Sequence, residues 1–164
     1  MLFCFLLLAL LGLAAAKPTH FGAKIHYKEN CSALIEDDDW IISDLVEFQP
    51  KIAHLSPFLA FNVRDINKGL QINTTCSIVL SSGSNSTLHN PNLFHVCENR
   101  NMRFQYSNGS IEMSRLYRDP CLGDYPYDSA IAWGHATANF TTTKTAGGSL
   151  RTATQVHVPI TSLS

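Results

Sequence analysis

Between residues 70 and 80 the apolar side chains Leu70, Ile72, Cys76, Ile78 and Leu80 fall on alternate positions, with Gln71, Asn73, Thr75 and Ser77 between them. Successive side chains point to opposite faces only in extended chain, so this period of two predicts a half-buried strand. The same alternation recurs in Leu59–Arg64, where Leu59, Phe61 and Val63 share a face, in Met102–Tyr106 and in Ile111–Met113. Between the last two runs lies Ser107-Asn108-Gly109-Ser110. Asn-Gly flanked by alternating runs predicts a two-residue hairpin, because both central residues of the favoured turn need positive φ. Further strands are predicted at Ala130–Phe140 and Thr152–Val158, separated by turn-rich loops such as Arg118–Asp124. In the first, Ala130, Ala132, Gly134, Ala136 and Ala138 share a face, which suits close sheet packing or a tapering barrel interior. Seven or eight such strands and scarce helix signals predict an all-β fold, a compact antiparallel β-barrel or sandwich.

The ends of the chain bear on compartment. The run Leu2–Leu13 is apolar and uncharged and closes on Ala14-Ala15-Ala16. It is shorter than the roughly 20 residues that a spanning helix needs, and its A-x-A close predicts a signal peptide over 1–16, cleaved before Lys17. Five Asn-x-Ser/Thr sequons follow, at Asn30, Asn73, Asn85, Asn108 and Asn139, and predict a secreted, extracellular glycoprotein carrying glycans on at least Asn73 or Asn85. Asn73 should face outward, opposite to Ile72; Asn85 and Asn108 fall in predicted loops, and Asn139 on the face of Ile131 and Trp133. Residues 17–30 read as a flexible N-terminal segment and 31–164 as one β domain, long enough to bury a core. No membrane partner is expected. Twelve basic against 13 acidic residues give a formal charge of −1, so no basic excess exists to neutralise phosphates and nucleic acid is not an expected partner.

Cys4 leaves with the signal, and Cys31, Cys76, Cys97 and Cys121 remain. In an oxidising compartment they predict two disulfides, with three pairings open. No C-x-x-C or H-x-x-x-H spacing supports zinc, and no cofactor is implied.

Trp40-Ile41-Ile42-Ser43, Phe61-Asn62-Val63, Gly69-Leu70-Gln71, Thr75-Cys76-Ser77, His95-Val96-Cys97-Glu98-Asn99 and Met102-Arg103-Phe104 follow one another in an order and spacing that resembles the secreted fungal β-barrel family of the major Alternaria allergen, which also contains plant-defence elicitors. The resemblance spans about Cys31 to Met113 and fades after Cys121. It implies a barrel acting outside the fungal cell without established catalysis, and a disulfide between Cys76 and Cys97. Cys31 and Cys121 are then the two that remain, although the first cysteine of such proteins can also make the interchain bond of a homodimer.

Chemistry of other kinds is weakly signalled. His20, His26, His54, His89, His95, His135 and His157 are accompanied by no Gly-x-Ser-x-Gly elbow, His-Glu-x-x-His pair or papain-like cysteine run. A triad assembles in space, so a hydrolase stays open as an alternative. Among Glu47, Asp65, Glu98 and Glu112 nothing selects a glycosidase pair. Glu36-Asp37-Asp38-Asp39 lacks the spacing of a calcium loop and reads as a solvated cluster protecting a strand edge. The small-residue face from Ala130 to Ala138 suggests a second alternative, a carrier of a small apolar ligand. Tyr117, Tyr125, Tyr127 and Trp133 gather around the Cys121 loop: buried, they are core and loop packing, the reading preferred here, and exposed, they are the partner-binding candidates, since Tyr and Trp dominate interface hot spots. What the resemblance implies, taken with the lack of a catalytic motif, is a non-catalytic, allergen-like effector or elicitor that binds a host or apoplastic protein.

Overall fold

A computed structural model describes residues 31–84 and 86–164. The predicted signal peptide, the 17–30 segment, His20, His26, Asn30 and Asn85 lie outside the described residues. Ten strands are present: β1 Trp40–Pro50, β2 Phe58–Asp65, β3 Ile72–Val79, β4 Asn90–Val96, β5 Met102–Ser107, β6 Ser110–Arg118, β7 Ser129–Thr137, β8 Thr141–Lys144, β9 Gly148–Val158 and β10 Ile160–Leu163. No helix occurs among the described residues, and accordingly none is long and apolar enough to cross a membrane.

The strands form two five-stranded antiparallel sheets that pack face to face. The first has the order β3-β2-β1-β9-β8 and the second β10-β7-β6-β5-β4. The expected all-β class holds, with more strands than the sequence suggested. The hairpin also holds: β5 and β6 are joined at Ser107↔Ser110, with Asn108 at φ 50° and Gly109 at φ 91°, the paired positive values of a type I′ turn.

Inward positions follow the alternation. Phe61 of the first sheet meets Phe104 of the second edge-on at 4.9 Å, inside a core that also holds Trp40, Leu45, Met102 and Met113. The small-residue face of β7 belongs to this core. A Cβ on Gly134 would stand 2.9 Å from the Pro159 carbonyl oxygen and 3.2 Å from the Trp40 ring, so the indole fills the room that the small side chains leave. β7 ends at Thr137, which puts Ala138 and Asn139 in the connection to β8 rather than in the strand.

Two irregularities shape the first sheet. Asp44 adopts φ 53°, and the β1–β2 register shifts between Ser43 and Val46. The buried face of β1 consequently passes from even positions (Trp40, Ile42) to odd ones (Leu45, Glu47). A bulge of this kind bends its strand and raises local twist.

Covalent and polar ties hold the sheets together. Cys76 on β3 is bonded to Cys97 just beyond β4, with Cα atoms 4.2 Å apart, so the edge strand of one sheet is stapled to the edge of the other. The Glu98 N–H donates to Thr75 O at 2.9 Å and the Asn99 N–H to Thr74 Oγ1 at 2.9 Å beside it. Cys31 is bonded to Cys121, Cα atoms 5.4 Å apart, which engages Cys31 within the chain rather than in an interchain bridge. The Cys76–Cys97 pair is the one the resemblance implied, and Cys31–Cys121 is the pair then left over.

Candidate functional site

The acidic run before β1 is divided by its backbone. Asn67 Oδ1 accepts the N–H groups of Asp37 and Asp38 at 2.9 and 2.8 Å, and Asn67 Nδ2 donates to Asp38 O at 2.9 Å. That clamp turns Asp37 and Asp38 to solvent and Glu36 inward, so Glu36 is not part of the solvated cluster expected from the sequence. Both Glu36 carboxylate oxygens lack a hydrogen-bond partner. Burial pushes this carboxyl up to about 7, against the pull of the Arg115 guanidinium and of the nearby Trp40 indole, whose N–H is directed to Asp65 instead. Arg115, on the inner face of β6, pairs with Asp65 of β2, which also accepts from Trp40 Nε1 at 3.2 Å. Among the described residues no three His, Cys, Asp or Glu side chains are arranged to hold a metal.

The four carboxylates considered for glycoside chemistry do not converge. Glu47 and Asp65 are buried in separate ties between the sheets, Glu98 is exposed beyond β4, and Glu112 lies on the outer face of β6. The histidines divide as well. His95 packs on Phe104 at 5.6 Å and burial lowers its pKa; His157 stands 3.7 Å from Asp39; His54 is exposed in a turn. His135 makes one arrangement that sequence reasoning missed: its Nε2 is 2.7 Å from Ser110 Oγ, with Glu112 cross-strand to His135. Ser and His at this distance are a nucleophile and base spacing. They lie on the open outer face of the second sheet, and the pairing depends on β6–β7 register, which no local motif encodes.

That outer face is the most developed surface of the molecule. β6 and β7 pair Ser114↔Trp133, Leu116↔Ile131 and Arg118↔Ser129, so these residues stand on one side. Trp133 meets Phe94 of β4 edge-on at 5.8 Å across the sheet, and Ser114, which stands between them, is buried. Leu116 and Val96 are largely exposed beside this pair. Arg103, Gln105, Glu112 and His135 complete the face. The face thus has an apolar centre ringed by polar side chains.

The loop after β6 extends it. Asp119 anchors the loop: its Oδ2 accepts the Leu34 N–H at 2.7 Å, its Oδ1 the Cys121 N–H at 2.8 Å, and its N–H donates to Asp128 O at 2.7 Å. With the Cys31–Cys121 bond, those contacts fix the base while the tip projects. Tyr125 and Tyr127 are 77% and 78% exposed, and the Arg118 guanidinium lies 5.7 Å from the Tyr125 ring. Tyr117 differs: it follows Ile111, Met113 and Arg115 on the inner face of β6 and is buried, so it is a core residue rather than a binding candidate. The period of two from Ile111 already pointed there. Trp133 is half-buried.

The outer face of the first sheet carries a groove of about 610 Å³ lined by Ile41, Ser43, Asp44, Asn62, Asn73 and Gln155 among others. Asn73 is exposed on it, as its strand position implied. Asn108 is exposed in the hairpin turn and Asn139 in the short connection to β8.

No family model, curated protein or solved structure matches this chain.

Proposed function

We propose that the protein is a secreted, non-catalytic binding protein whose working surface is the outer face of the second sheet together with the Tyr125–Tyr127 loop tip. The observation that carries this reading is the exposure of two tyrosines at 77% and 78% on a loop whose base is locked by a disulfide and by Asp119. Ordering a free loop on binding costs free energy, whereas a held loop has already lost that freedom. Large aromatic side chains left in water by a rigid scaffold favour a partner that buries them.

The partner class follows from the family resemblance: a host or apoplastic protein met by a fungal effector or elicitor. Two disulfides in a small domain suit such an oxidising setting. The test is a pull-down from plant apoplastic fluid with the purified glycoprotein, run beside the Tyr125→Ala/Tyr127→Ala double variant, together with leaf infiltration. The expected result is a partner retained by the native protein and lost by the variant. Equal capture by both, or no leaf response, overturns the reading.

The Ser110–His135 pair favours a second reading, a surface esterase. Turnover of a p-nitrophenyl ester that His135→Ala abolishes would establish it. No turnover above that of the variant removes it.

A further inference from the structure

The groove on the first sheet has a built-in occupant if the chain passes through a secretory pathway, as proposed above. Its floor is two cross-strand rows. One runs Ile41, Arg64, Asn73; the other runs Gln155, Ser43, Asn62, Thr75. The second row consists largely of short polar side chains held in position by one another: Thr75 Oγ1 donates to Asn62 Oδ1 at 3.3 Å, and Asn62 Nδ2 donates to Asp44 Oδ2 at 3.3 Å. The left-handed turn of the chain at Asp44 brings its carboxylate to this row. The groove's 610 Å³ falls in the roughly 300–1,000 Å³ range of small-molecule sites.

Asn73 and Thr75 are the acceptor and the hydroxyl residue of one sequon, Asn73-Thr74-Thr75. As strand neighbours two apart they share a face, and that face is the groove. A glycan on Asn73 therefore starts inside a recess lined by amide, carboxylate, guanidinium and hydroxyl groups, with Ile41 offering an apolar surface to a sugar ring. We propose that this groove is the seat of the chain's own Asn73 N-glycan, whose inner N-acetylglucosamine residues lie along Arg64, Asn62, Asp44 and Gln155. Tethering makes this occupant stronger than free sugar. A covalently linked ligand acts at an effective concentration in the millimolar range, so hydrogen bonds too weak to capture a free saccharide suffice. The other two described sequons offer no such recess: Asn108 stands at a hairpin tip and Asn139 in a short exposed connection.

Site-resolved glycopeptide mass spectrometry on protein secreted from a eukaryotic host tests this. The native protein is treated with peptide-N-glycosidase and the release rate is followed at each asparagine. Release at Asn73 is expected to be at least tenfold slower in the native protein than in the Gln155→Ala variant or the Asn62→Ala variant. Gln155 is exposed, so its variant reports even where Asn62→Ala does not fold. An unmodified Asn73 beside a glycosylated Asn108 or Asn139 overturns the proposal and leaves secretion standing; an unmodified chain overturns both. Equal release rates in wild type and Gln155→Ala also overturn it. Micromolar binding of free chitobiose to the Asn73→Gln variant would assign the groove to external carbohydrate instead.

Discussion

Tyr106 donates its phenol hydrogen to Glu47 Oε2 at 2.5 Å, with both residues fully buried and each on a different sheet. The same oxygen accepts from Arg151 at 2.7 Å, and the other carboxylate oxygen is reached by Gln49 at 3.1 Å and His89 at 3.3 Å. A carboxylate removed from water is tolerable only when its lone pairs are occupied in this way. Burial and the adjacent Glu47 together raise the Tyr106 pKa, so the phenol stays a donor throughout the ordinary pH range. Tyr106→Phe preserves the ring and removes one bond to the buried charge. The expected loss is about 1–3 kcal/mol, read as a lower urea midpoint with an unchanged slope.

The buried Glu36 carboxyl makes stability depend on pH in an unusual direction. Its folded pKa is raised from 4.5 to about 7, so the folded state binds the proton more tightly than the unfolded state. The stability this contributes is fully present below pH 4.5 and is lost as pH rises to about 7. For a shift of this size the change is on the order of 3 kcal/mol. His95, whose pKa is lowered by burial, acts oppositely: its contribution is present above its unfolded pKa and lost below it. Comparing wild type with Glu36→Gln at each pH cancels His95. The Gln variant is expected to be the more stable above pH 7, and its advantage should vanish near pH 4.5 in urea melts. A constant difference across that window refutes the assignment.

How far the sequence revealed this fold depends on what each feature required. The Asn108-Gly109 hairpin and the strands around Phe61, Cys76 and Phe104 were legible because local alternation and turn chemistry specify them. Arg115 was not legible as an inward residue: its charge argues for solvent, and only Asp65 on the opposite sheet makes its burial tolerable. The Ser110–His135 contact and the Asn73 groove arise from cross-strand register, and Glu36 turns inward because a distant Asn67 clamps the chain beside it. Those depend on contacts between segments far apart in sequence. The aromatic candidates lie close together in sequence, but period-two alternation from Ile111 separates Tyr117 from Tyr125 and Tyr127.

Gly134 tests whether the core is as full as the geometry states. A Cβ there comes within 3.0 Å of Val158 Cγ1 and 2.9 Å of the Pro159 carbonyl oxygen. Backbone cannot yield as a flexible side-chain end can, and the Trp40 ring blocks the remaining direction. Gly134→Ala is expected to destabilise by about 1–3 kcal/mol through overpacking, seen as a lower thermal midpoint. An unchanged midpoint would mean that β7 and the β9–β10 corner are looser than described.

Removal of Cys76–Cys97 should be felt between the sheets rather than within one. The bond closes a loop with sequence separation 21 between two edge strands, and the chain-entropy account gives roughly 3 kcal/mol for such a closure. The Cys76→Ala/Cys97→Ala double variant is expected to lose about that much in a urea melt. Amide exchange in β3 and β4 should accelerate more than in β1 or β6, since edges open before centres. Uniform acceleration in all four strands would show that the staple acts only on the unfolded chain.

The last prediction separates binding from folding on the outer face of the second sheet. Tyr125 and Tyr127 are held by backbone contacts, Asp119 N–H to Asp128 O at 2.7 Å at the loop base and Tyr127 N–H to Asp124 O at 2.8 Å across the tip, not by burial of their rings. Truncating either ring leaves those contacts in place, so each alanine variant should keep its unfolding midpoint within about 0.5 kcal/mol of wild type. Hot-spot tyrosines cost at least 2 kcal/mol when truncated, which is more than tenfold in affinity. The Trp133→Ala variant behaves differently, because Trp133 also packs on Phe94: it should lose both stability and binding. Surface plasmon resonance with the captured partner, run beside urea melts, distinguishes the patterns. Tyrosine variants that bind as wild type overturn the loop-tip reading, and loss of binding by Trp133→Ala alone would then assign the contact to the Phe94–Trp133 centre of the sheet.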